Sequence, residues 1–417
     1  MKKLLSMLLA SVVMLSACAC SQDEKSKSDS ADSAATTTTS QVIEEIVAEP
    51  TNFDIYVSNT YLATGNNQMI TDVNNVTFRA YIPIEEYGEL EYCFYFSNMV
   101  DSTYSMGEIA YGGRPGAEFT IHSASISDGG TSNAEPLTNT TAVTFDGGST
   151  TKEVGYMETF WTDPVSFNVP DGHFLVWEWT ITGAYVPCNN MSSLTHTSKS
   201  VDGGSFGWCD EIPIPNLIGA KREVNKTIAC IGDSITQGCQ TTSCQYDFWV
   251  ADIARDLGSD YSVWNLGLGW SRSSDCALNG DWLNRAKQAD IVTVAFGTND
   301  VISGKYGNNR PDTCDEMLGY IDTIVTELKN AGCEVIIFTA PPFDFPADST
   351  QESTRVEFNE ALVTMAQEKE CELFDFATVL ADPADYAKTL YGGHPNGEGC
   401  RVVADKFLLQ FDAMIKE

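Results

Sequence analysis

From residue 225 onward, short apolar runs alternate with segments of helical periodicity. The apolar runs predict strands at residues 227–231, 261–267, 291–296, 334–340 and 372–376. The segments between and after them predict helices at residues 246–257, 315–330, 355–370 and 399–416. Strands that alternate with helices favour a parallel sheet covered by helices on both faces. The pattern therefore predicts a three-layer α/β domain over residues 225–417.

Residues 51–215 follow a different pattern, in which apolar and polar side chains alternate. Between residues 173 and 182 the apolar side chains that share one face are Leu175, Trp177, Trp179 and Ile181. Similar runs occur at residues 76–82, 90–96, 119–126 and 157–169. Many short strands separated by glycine-rich turns favour an all-β sandwich, here a jelly-roll-like one. Residues 203–224, with two prolines, are predicted to link this domain to the next.

The N-terminal end has the features of an export signal. Two lysines precede an apolar stretch at residues 4–13, which is too short to remain in a membrane as a spanning helix. Residues 15–18, Leu-Ser-Ala-Cys, resemble a bacterial lipobox, which implies removal of residues 1–17 and attachment of lipid to the thiol of Cys18. The alternative is an ordinary secretory signal cut near Ala17.

Residues 18–50 are predicted to form a disordered tether. They are rich in Ser, Thr, Ala and acidic residues and contain no aromatic residue. Such a segment cannot bury enough apolar surface to become ordered. We therefore expect a protein of the cell surface whose contact with the membrane is an N-terminal lipid anchor.

The charge of the chain excludes several classes of partner. There are 24 Lys and Arg residues against 58 Asp and Glu residues, a formal net charge of −34. So acidic a chain repels nucleic acid and anionic lipid surfaces. The histidines and cysteines fit no zinc-binding spacing, and no phosphate-binding loop or dinucleotide fingerprint is present. No metal or other cofactor is expected.

The cysteine spacing leaves disulfide pairing open. Two of the 13 cysteines precede the folded part of the chain, which leaves an odd number within it. Cys239 and Cys244 flank a short loop and are candidates for a disulfide, as are Cys188 and Cys209.

A serine follows the first predicted strand of the α/β domain. Residues 230–238 read Cys-Ile-Gly-Asp-Ser-Ile-Thr-Gln-Gly, so the strand stops at Gly232 and Ser234 comes two residues later. Open α/β sheets hold their sites at this carboxyl edge. Ser234 is a candidate nucleophile if a base reaches it. The alternative is that its hydroxyl merely caps the next helix.

Three further segments carry groups that acyl transfer would require. One strand ends at Gly267, where a backbone N–H can approach a ligand without a Cβ in the way. Another ends in Gly-Thr-Asn-Asp, where Asn299 can donate its amide N–H into a site. The third is Gly-Gly-His-Pro-Asn, just ahead of the last helix. Because the other three histidines lie in the β domain, His394 is the base available to Ser234 from its own domain.

In their order along the chain and in their amino-acid sequences, these four segments resemble the sequence blocks of the SGNH (GDSL-type) esterases and lipases. The resemblance covers the chain from about residue 226 to its last residue. It implies a flavodoxin-like sheet with Ser234 as nucleophile and His394 as general base. It also implies an oxyanion hole formed by the backbone N–H groups of Ser234 and Gly267 and the side chain of Asn299. Each such donor is typically worth about 10²–10³ in rate.

The sequence departs from the family pattern at one position. The family usually has an aspartate three residues before the histidine, and this chain has Tyr391 there. The interpretation we favour is that a backbone carbonyl orients His394, which makes a Ser–His dyad. Alternatively Asp382 or Asp385 from a neighbouring loop is the orienting acid, or the site is inactive. Neutralising the acid of a triad can reduce turnover by about 10⁴.

A β-sandwich followed by an SGNH domain that lacks this aspartate is similar to the two-domain acetyl esterases of carbohydrate esterase family two. The similarity implies an acetylated polysaccharide or oligosaccharide as substrate, with Trp270 among the side chains that could stack on sugar rings. The predicted function is an exported serine esterase that removes acetyl groups from carbohydrate. The alternatives are a short-chain esterase or lysophospholipase on the same fold, and an inactive carbohydrate-binding protein of the cell surface.

Overall fold

The computed structural model describes residues 51–102, 113–191, 194–305, 307–308, 310–380, 390–391 and 393–417, and for residues 390 and 391 the backbone alone. Residues 52–417 belong to one compact unit. Several predictions fall outside the described residues: the signal peptide at 1–17, the tether at 18–50 with Cys18, and the two acids Asp382 and Asp385.

The N-terminal half consists of antiparallel strands. A short helix, α1 (Asn52–Ile55), precedes β1 (Tyr56–Ser58), β2 (Gln68–Ile82), β3 (Gly88–Ser97), β4 (Phe119–Asp128), β5 (Thr138–Val143), β6 (Lys152–Val154), β7 (Thr159–Trp161), β8 (Val165–Val169), β9 (Leu175–Asn190), β10 (Thr197–Val201), β11 (Gly207–Trp208), β12 (Glu211–Ile212) and β13 (Leu217–Lys221). One sheet has the order β1-β13-β3-β7, with β8 also beside β3. The other has the order β11-β10-β2-β9-β4-β5, with β12 beside β9 and β6 beside β4.

Aromatic side chains fill the space between these two sheets. The ring centroids of Phe94 on β3 and Trp177 on β9 are 4.8 Å apart, and Phe96 stacks on Trp179 at the same distance. Both tryptophans are buried, whereas Glu178 between them is half-buried and pairs with Arg79. The alternation of apolar and polar residues in β9 is therefore the pattern of a strand with one face in the core of a sandwich. The jelly-roll-like topology stays a prediction.

The predicted linker at residues 203–224 is wrong. This segment contains β11, which pairs with β10, and β12, which pairs with β9. It also contains β13, which lies between β1 and β3 with Ile218 and Ala220 buried. The prolines that suggested a linker, Pro213 and Pro215, precede β13, where no strand N–H is required of them.

The C-terminal half contains the predicted parallel sheet. Its strands are β14 (Lys226–Gly232), β15 (Tyr261–Gly267), β16 (Ile291–Ala295), β17 (Glu334–Phe338) and β18 (Glu372–Phe374). They are parallel and have the order β15-β14-β16-β17-β18. Counted along the chain this is 2-1-3-4-5, an order of doubly wound sheets that places the binding crevice between the first and third strands. That crevice lies beyond the carboxyl ends of β14 and β16.

Helices cover both faces of this sheet. They are α2 (Ser234–Gln237), α3 (Trp249–Leu257), α4 (Ser273–Cys276), α5 (Asp281–Ala286), α6 (Thr298–Ile302), α7 (Cys314–Asn330), α8 (Thr350–Glu368), α9 (Phe376–Val379) and α10 (Gly397–Lys416), with a hairpin of β19 (Leu390–Tyr391) and β20 (His394–Pro395) before α10. In β14, Ile228 shares a core with residues of α3 and α10, and the next residue, Ala229, shares another with residues of α7 and α8. Among the described residues, no helix is long and apolar enough to cross a bilayer.

Cys188, Cys209 and Cys230 are free thiols. Neither Cys239 with Cys244 nor Cys188 with Cys209 forms the disulfide considered from the spacing. Cys188, Cys209 and Cys230 are buried, and burial raises the pKa of each of these thiols. They therefore behave as small apolar core residues.

Candidate active site

The turn that carries Ser234 is built by the residues on either side of it. β14 ends at Gly232, where a Cβ would lie 2.7 Å from the carbonyl oxygen of Ala295 on β16. Asp233 is the N-cap of α2, since its Oδ1 accepts the N–H of Ile235 at 2.9 Å. Ser234 is therefore the first residue of α2 and not its cap. The capping alternative considered from the sequence is wrong.

His394 lies beside Ser234, although it belongs to the C-terminal end of the domain. Ser234 Oγ and His394 Nε2 are 2.9 Å apart, although 160 residues separate the two in the chain. Both side chains are half-buried. The ring of Phe343 contacts the imidazole edge-on, with centroids 5.6 Å apart. Gly393 has φ +78°, and a Cβ there would lie 2.6 Å from the Phe343 ring, so a glycine is required for this packing.

Asn299 lies beyond the carboxyl end of β16, the parallel neighbour of the strand that leads to Ser234. It is the second residue of α6 and is 4% exposed. Its Nδ2 donates to the carbonyl oxygen of Ser271 at 2.9 Å. A carboxamide nitrogen carries two hydrogens, so the amide can make one bond to the protein and another to a ligand.

Gly267, the third predicted donor, is placed differently. Its N–H donates to the side-chain oxygen of Asn265 at 3.0 Å. A Cβ at Gly267 would lie 2.2 Å from the backbone nitrogen of Gln237 in α2. The glycine thus allows β15 to approach α2, and its N–H is already engaged within the strand. The prediction that Gly267 donates to an oxyanion does not agree with this geometry.

The segment after β15 is held in place by contacts that sequence reasoning missed. Trp270 has φ +64°, a left-handed conformation that is uncommon for a side chain of this size. The carbonyl oxygen of Trp270 accepts from Arg272, and Ser271 Oγ donates to the carbonyl oxygen of Gly232 at 3.0 Å. The residue at position 270 does not predict this turn, because tryptophan does not favour a positive φ.

Two buried carboxyl groups flank the predicted catalytic residues. Asp233 precedes Ser234 and is 3% exposed, and Asp300 follows Asn299 and is fully buried. Burial, with a smaller contribution from the charge of Asp300, raises the pKa of Asp233 to about 7. Burial also raises the pKa of Asp300 to about 6, against the bonds that its carboxylate accepts from Ser273. The buried surroundings of Asp233 and Asp300 therefore disfavour the negatively charged form of each carboxyl group.

Residues of the β half also contact α2 and the segment after β15, and no sequence pattern indicated these contacts. Gln237, the last residue of α2, donates from Nε2 to the carbonyl oxygen of Asn190 at 2.8 Å and to Oδ1 of Asn189 at 3.2 Å. Asn67 donates to the carbonyl oxygen of Gly269 at 3.3 Å. These partners lie in different halves of the chain, so periodicity and local motifs carry no information about them.

The two candidate orienting acids, Asp382 and Asp385, lie outside the described residues, and at Tyr391 only the backbone is described. The choice between a dyad and a substituted triad stays a prediction. Among the described residues, no cluster of His, Cys, Asp and Glu could hold a metal ion. The arrangement brings together a hydroxyl, an imidazole and an amide donor, the groups that acyl transfer requires.

Comparison with known proteins identifies a similarity in the same region. The GDSL-like Lipase/Acylhydrolase family matches residues 230–402. No curated protein matches the chain. Among solved structures, a member of the lipolytic protein G-D-S-L family from Veillonella parvula DSM 2008 is 24% identical, with a TM-score of 0.38, over 45% of this chain and 98% of that one.

Two further solved structures are described as acetylxylan esterases. AlAXEase is 21% identical over 44% of this chain and 98% of that one, with a TM-score of 0.37. A catalytic mutant of Axe2 from Geobacillus stearothermophilus is 20% identical over 45% of this chain and 94% of that one, with a TM-score of 0.38.

Proposed function

We propose, on the premise that residues 230–402 match the GDSL-like Lipase/Acylhydrolase family, that the protein is an exported serine esterase that removes acetyl groups from carbohydrate. The observation that carries the proposal is the distance of 2.9 Å between Ser234 Oγ and His394 Nε2. At this distance an imidazole can take the proton of the hydroxyl as it attacks a carbonyl carbon. The sequence motifs indicate which residues could take part in the reaction. The distance supports the proposal that Ser234 and His394 exchange a proton.

The reaction proceeds in two halves. Ser234 Oγ forms a bond to the acetyl carbon while its proton passes to His394 Nε2. The tetrahedral intermediate collapses when the bond to the sugar oxygen breaks and that oxygen takes the proton from His394. Water then attacks the acetyl-enzyme, giving its proton to His394. Acetate leaves as Ser234 Oγ recovers the proton, and the enzyme returns to its first state.

The negative charge on the carbonyl oxygen needs donors. We assign this role to the backbone N–H of Ser234, in the first turn of α2, and to the Nδ2 hydrogen of Asn299 that does not bond Ser271. Removal of one such donor typically reduces kcat by about 10²–10³. Gly267 is not assigned a role here, because its N–H is bonded to Asn265.

The choice of carbohydrate as substrate depends on features outside the reaction centre. A β-sandwich ahead of the hydrolase domain, with Tyr391 at the usual position of the acid, resembles the acetyl esterases of carbohydrate esterase family two. The net charge of −34 disfavours binding to anionic lipid surfaces, which argues against a phospholipid substrate. A lipid anchor at Cys18, with residues 18–50 as a tether, would hold the enzyme at the cell surface. Detergent partitioning of the full chain against Cys18→Ser tests that anchor, and equal partitioning would exclude it.

The decisive measurement is acetate release from acetylated xylan by the full chain and by Ser234→Ala. We expect release by the native chain and a loss of about 10⁴-fold or more in the variant. In parallel, p-nitrophenyl acetate should be hydrolysed faster than the octanoate and decanoate. Faster hydrolysis of the longer esters would favour a lysophospholipase or general esterase. Binding of xylan without acetate release would favour an inactive binding protein.

The dyad is tested by removing each candidate acid. If a backbone carbonyl orients His394, Asp382→Ala and Asp385→Ala should each keep kcat within about threefold of the native value. A loss on the order of 10³ or more in one of them would approach the effect of a triad acid and would assign it that role. Both variants should be compared with His394→Ala, for which we expect a loss as large as that of Ser234→Ala.

A further inference from the structure

A hydrogen-bonded path from the β half reaches the turn that carries Ser234. We propose that this path makes the β-sandwich a part of the catalytic apparatus, with Asn67, Asn189 and Gln237 as positioning residues for Ser234. The inference rests on the proposed serine esterase function and adds a role for the N-terminal half of the chain.

The first step of the path is the side chain of Gln237, which is fully buried. Its Nε2 donates to Asn190 O and Asn189 Oδ1, at 2.8 and 3.2 Å, and its Oε1 accepts from Cys239 Sγ at 3.2 Å. The backbone N–H of Gln237 donates to Asp233 O at 2.9 Å. Holding this one side chain therefore holds the C-terminal end of the helix whose first residue is Ser234.

The second step joins this point to the loop on the other side of the site. Asn67 Oδ1 accepts the N–H of Asn190 at 2.9 Å, and Asn67 Nδ2 donates to Gly269 O at 3.3 Å. Gly269 lies two residues before Ser271, whose carbonyl oxygen accepts from Asn299. One buried asparagine of the β half thus connects the strand that holds Gln237 with the segment that holds Asn299.

Asn189 fixes the loop that presents Asn67. It is fully buried, and its Nδ2 donates to Gly65 O at 2.6 Å and to Ala63 O at 3.4 Å. The backbone N–H of Asn67 donates to Cys188 O at 3.0 Å. The loop and β9 therefore form one bracket, and its contacts through Asn67, Asn189 and Asn190 reach α2 and the segment after β15.

A four-residue helix needs such external support. α2 spans only Ser234–Gln237, a length at which helix formation in isolation is strongly unfavourable. Its orientation is therefore set by what its ends contact. A displacement of 1 Å at a reacting group can reduce rate by about 10². Without the bracket we expect Ser234 to sample positions out of reach of His394.

The test compares Asn67→Ala and Gln237→Ala with a matched control, Asn98→Ala. Asn98 is a buried asparagine of the β half that also makes two side-chain bonds, from Nδ2 to Ala117 O at 3.0 Å and to Gly155 O at 2.8 Å. Both of its partners lie in the β half. The readouts are kcat and KM on p-nitrophenyl acetate, the rate at which a fluorophosphonate labels Ser234, and the Tm.

We expect Asn67→Ala and Gln237→Ala to lower kcat and the labelling rate by about 10²-fold, with KM within about threefold. Asn98→Ala should lower the Tm by a similar amount and keep kcat within about twofold. Because the two positioning residues act through one path, the double variant should lose little more than the worse single variant, which is the sign of coupled sites.

Three outcomes overturn the inference, and each is distinguishable from the others. If the native chain hydrolyses the ester but Asn67→Ala and Gln237→Ala behave like Asn98→Ala, the positioning role is wrong and the esterase stands. If the native chain neither hydrolyses acetyl esters nor is labelled at Ser234, the proposed function fails and the positioning role fails with it. An equal loss of kcat in all three variants would mean a general loss of stability and would also overturn the inference.

Discussion

At the scale of single residues, the hydroxyl of Ser234 is available because its neighbour caps the helix. Asp233 accepts the N–H of Ile235, a role for which serine and aspartate are equally suited. The arrangement has an electrostatic cost, since Asp233 is buried beside the carboxyl group of Asp300. Both carboxyl groups therefore have raised pKa values, about 7 for Asp233 and about 6 for Asp300, and this has a measurable consequence for stability.

Asp233→Asn keeps the capping oxygen and removes the charge. The pKa of Asp233 is about 7 in the folded protein, above its usual unfolded value, so the folded state binds this proton more tightly. The stabilisation that comes from this tighter proton binding at Asp233 is therefore fully present below about pH 4 and is lost as pH rises toward 7. The free energy of unfolding of the variant, measured in urea relative to the native chain, should rise between pH 4 and 8 by up to about 4 kcal/mol.

Asp260→Asn serves as the control for this experiment. Asp260 is exposed, and its backbone carbonyl accepts the N–H of Asn225 in either case. Its substitution removes an exposed carboxyl group and is measured over the same pH range. A difference between Asp233→Asn and the native chain that does not change with pH would show that burial does not raise the pKa of Asp233.

At the scale of secondary-structure elements, the site depends on the close approach of β15 to α2. The Cα of Gly267 faces the backbone of α2, and no side chain fits between them. Gly232 and Gly267 are register partners at the carboxyl ends of adjacent parallel strands. The two strands therefore end together, one in the nucleophile turn and the other in the segment bonded to Asn299.

Gly267→Ala should disturb this contact. The added methyl group would lie 2.2 Å from the backbone nitrogen of Gln237, so α2 has to move. Overpacking of this kind destabilises by about 1–3 kcal/mol, and we expect kcat to fall more than KM changes, because the displaced helix carries Ser234. Urea denaturation and ester hydrolysis measure the two effects.

Gly319→Ala provides the opposite case in the same chain. Gly319 is an exposed residue of α7 with open space around the position of a Cβ. Its substitution should stabilise the protein by about 0.5–1 kcal/mol and leave the kinetics unchanged. If Gly267→Ala proved as stable and as active as this variant, the close contact between β15 and α2 would be wrong.

The sequence predicts these elements well where burial is periodic. β15 was predicted at residues 261–267 and spans Tyr261–Gly267, and α7 was predicted at 315–330 and spans Cys314–Asn330. Each of these two elements packs against neighbours on defined faces, so its apolar residues recur with the period of a strand or a helix. The prediction failed at β13, a short strand of five residues whose flanking prolines suggested a linker.

At the scale of the whole molecule, buried polar contacts join the two halves. Arg285 in α5 donates to Asp101 of the β half at 2.6 Å, and both side chains are 1% exposed. Arg222, just after β13, pairs with Glu85 of the β half and donates to Tyr261 O of the α/β half. Charges buried to this extent are stable only when paired, so the halves depend on each other.

Arg285→Met should destabilise the folded chain by about 3–5 kcal/mol, because it leaves the carboxylate of Asp101 buried without its partner. Burial raises the pKa of Asp101 to about 6 even with the arginine present. The double variant Asp101→Asn/Arg285→Met should recover part of the loss, since no unpaired charge remains at Asp101. Chemical denaturation of the full chain measures both.

Arg310→Met is the matched exposed substitution. Arg310 and Glu316 form a pair at 2.7 Å with side chains that are 48% and 31% exposed. An exposed pair contributes at most about 1 kcal/mol, so its loss should be small. An equally small loss for Arg285→Met would show that the two halves do not rely on their buried ion pair.

The site was predictable only in part at this scale. Ser234, His394 and Asn299 could be named because each lies in a short motif and histidines are scarce in the C-terminal half. The contact between Asn67 and Gly269 spans 202 residues and joins two asparagine- and glycine-containing loops of ordinary composition. Its existence depends on how two domains pack, which neither periodicity nor a local motif encodes.

The position of β13 has a consequence for how the chain matures. β13 fills the gap between β1 and β3, yet it is the last strand of the sandwich to be synthesised. Until residue 221 is available to fold, a partly formed sandwich keeps β1 and β3 as open edges, which are sites for aggregation and for chaperones. Only residues 222–225 separate β13 from β14. Closure of the first half and the start of the second therefore follow each other almost immediately as the chain becomes available in order.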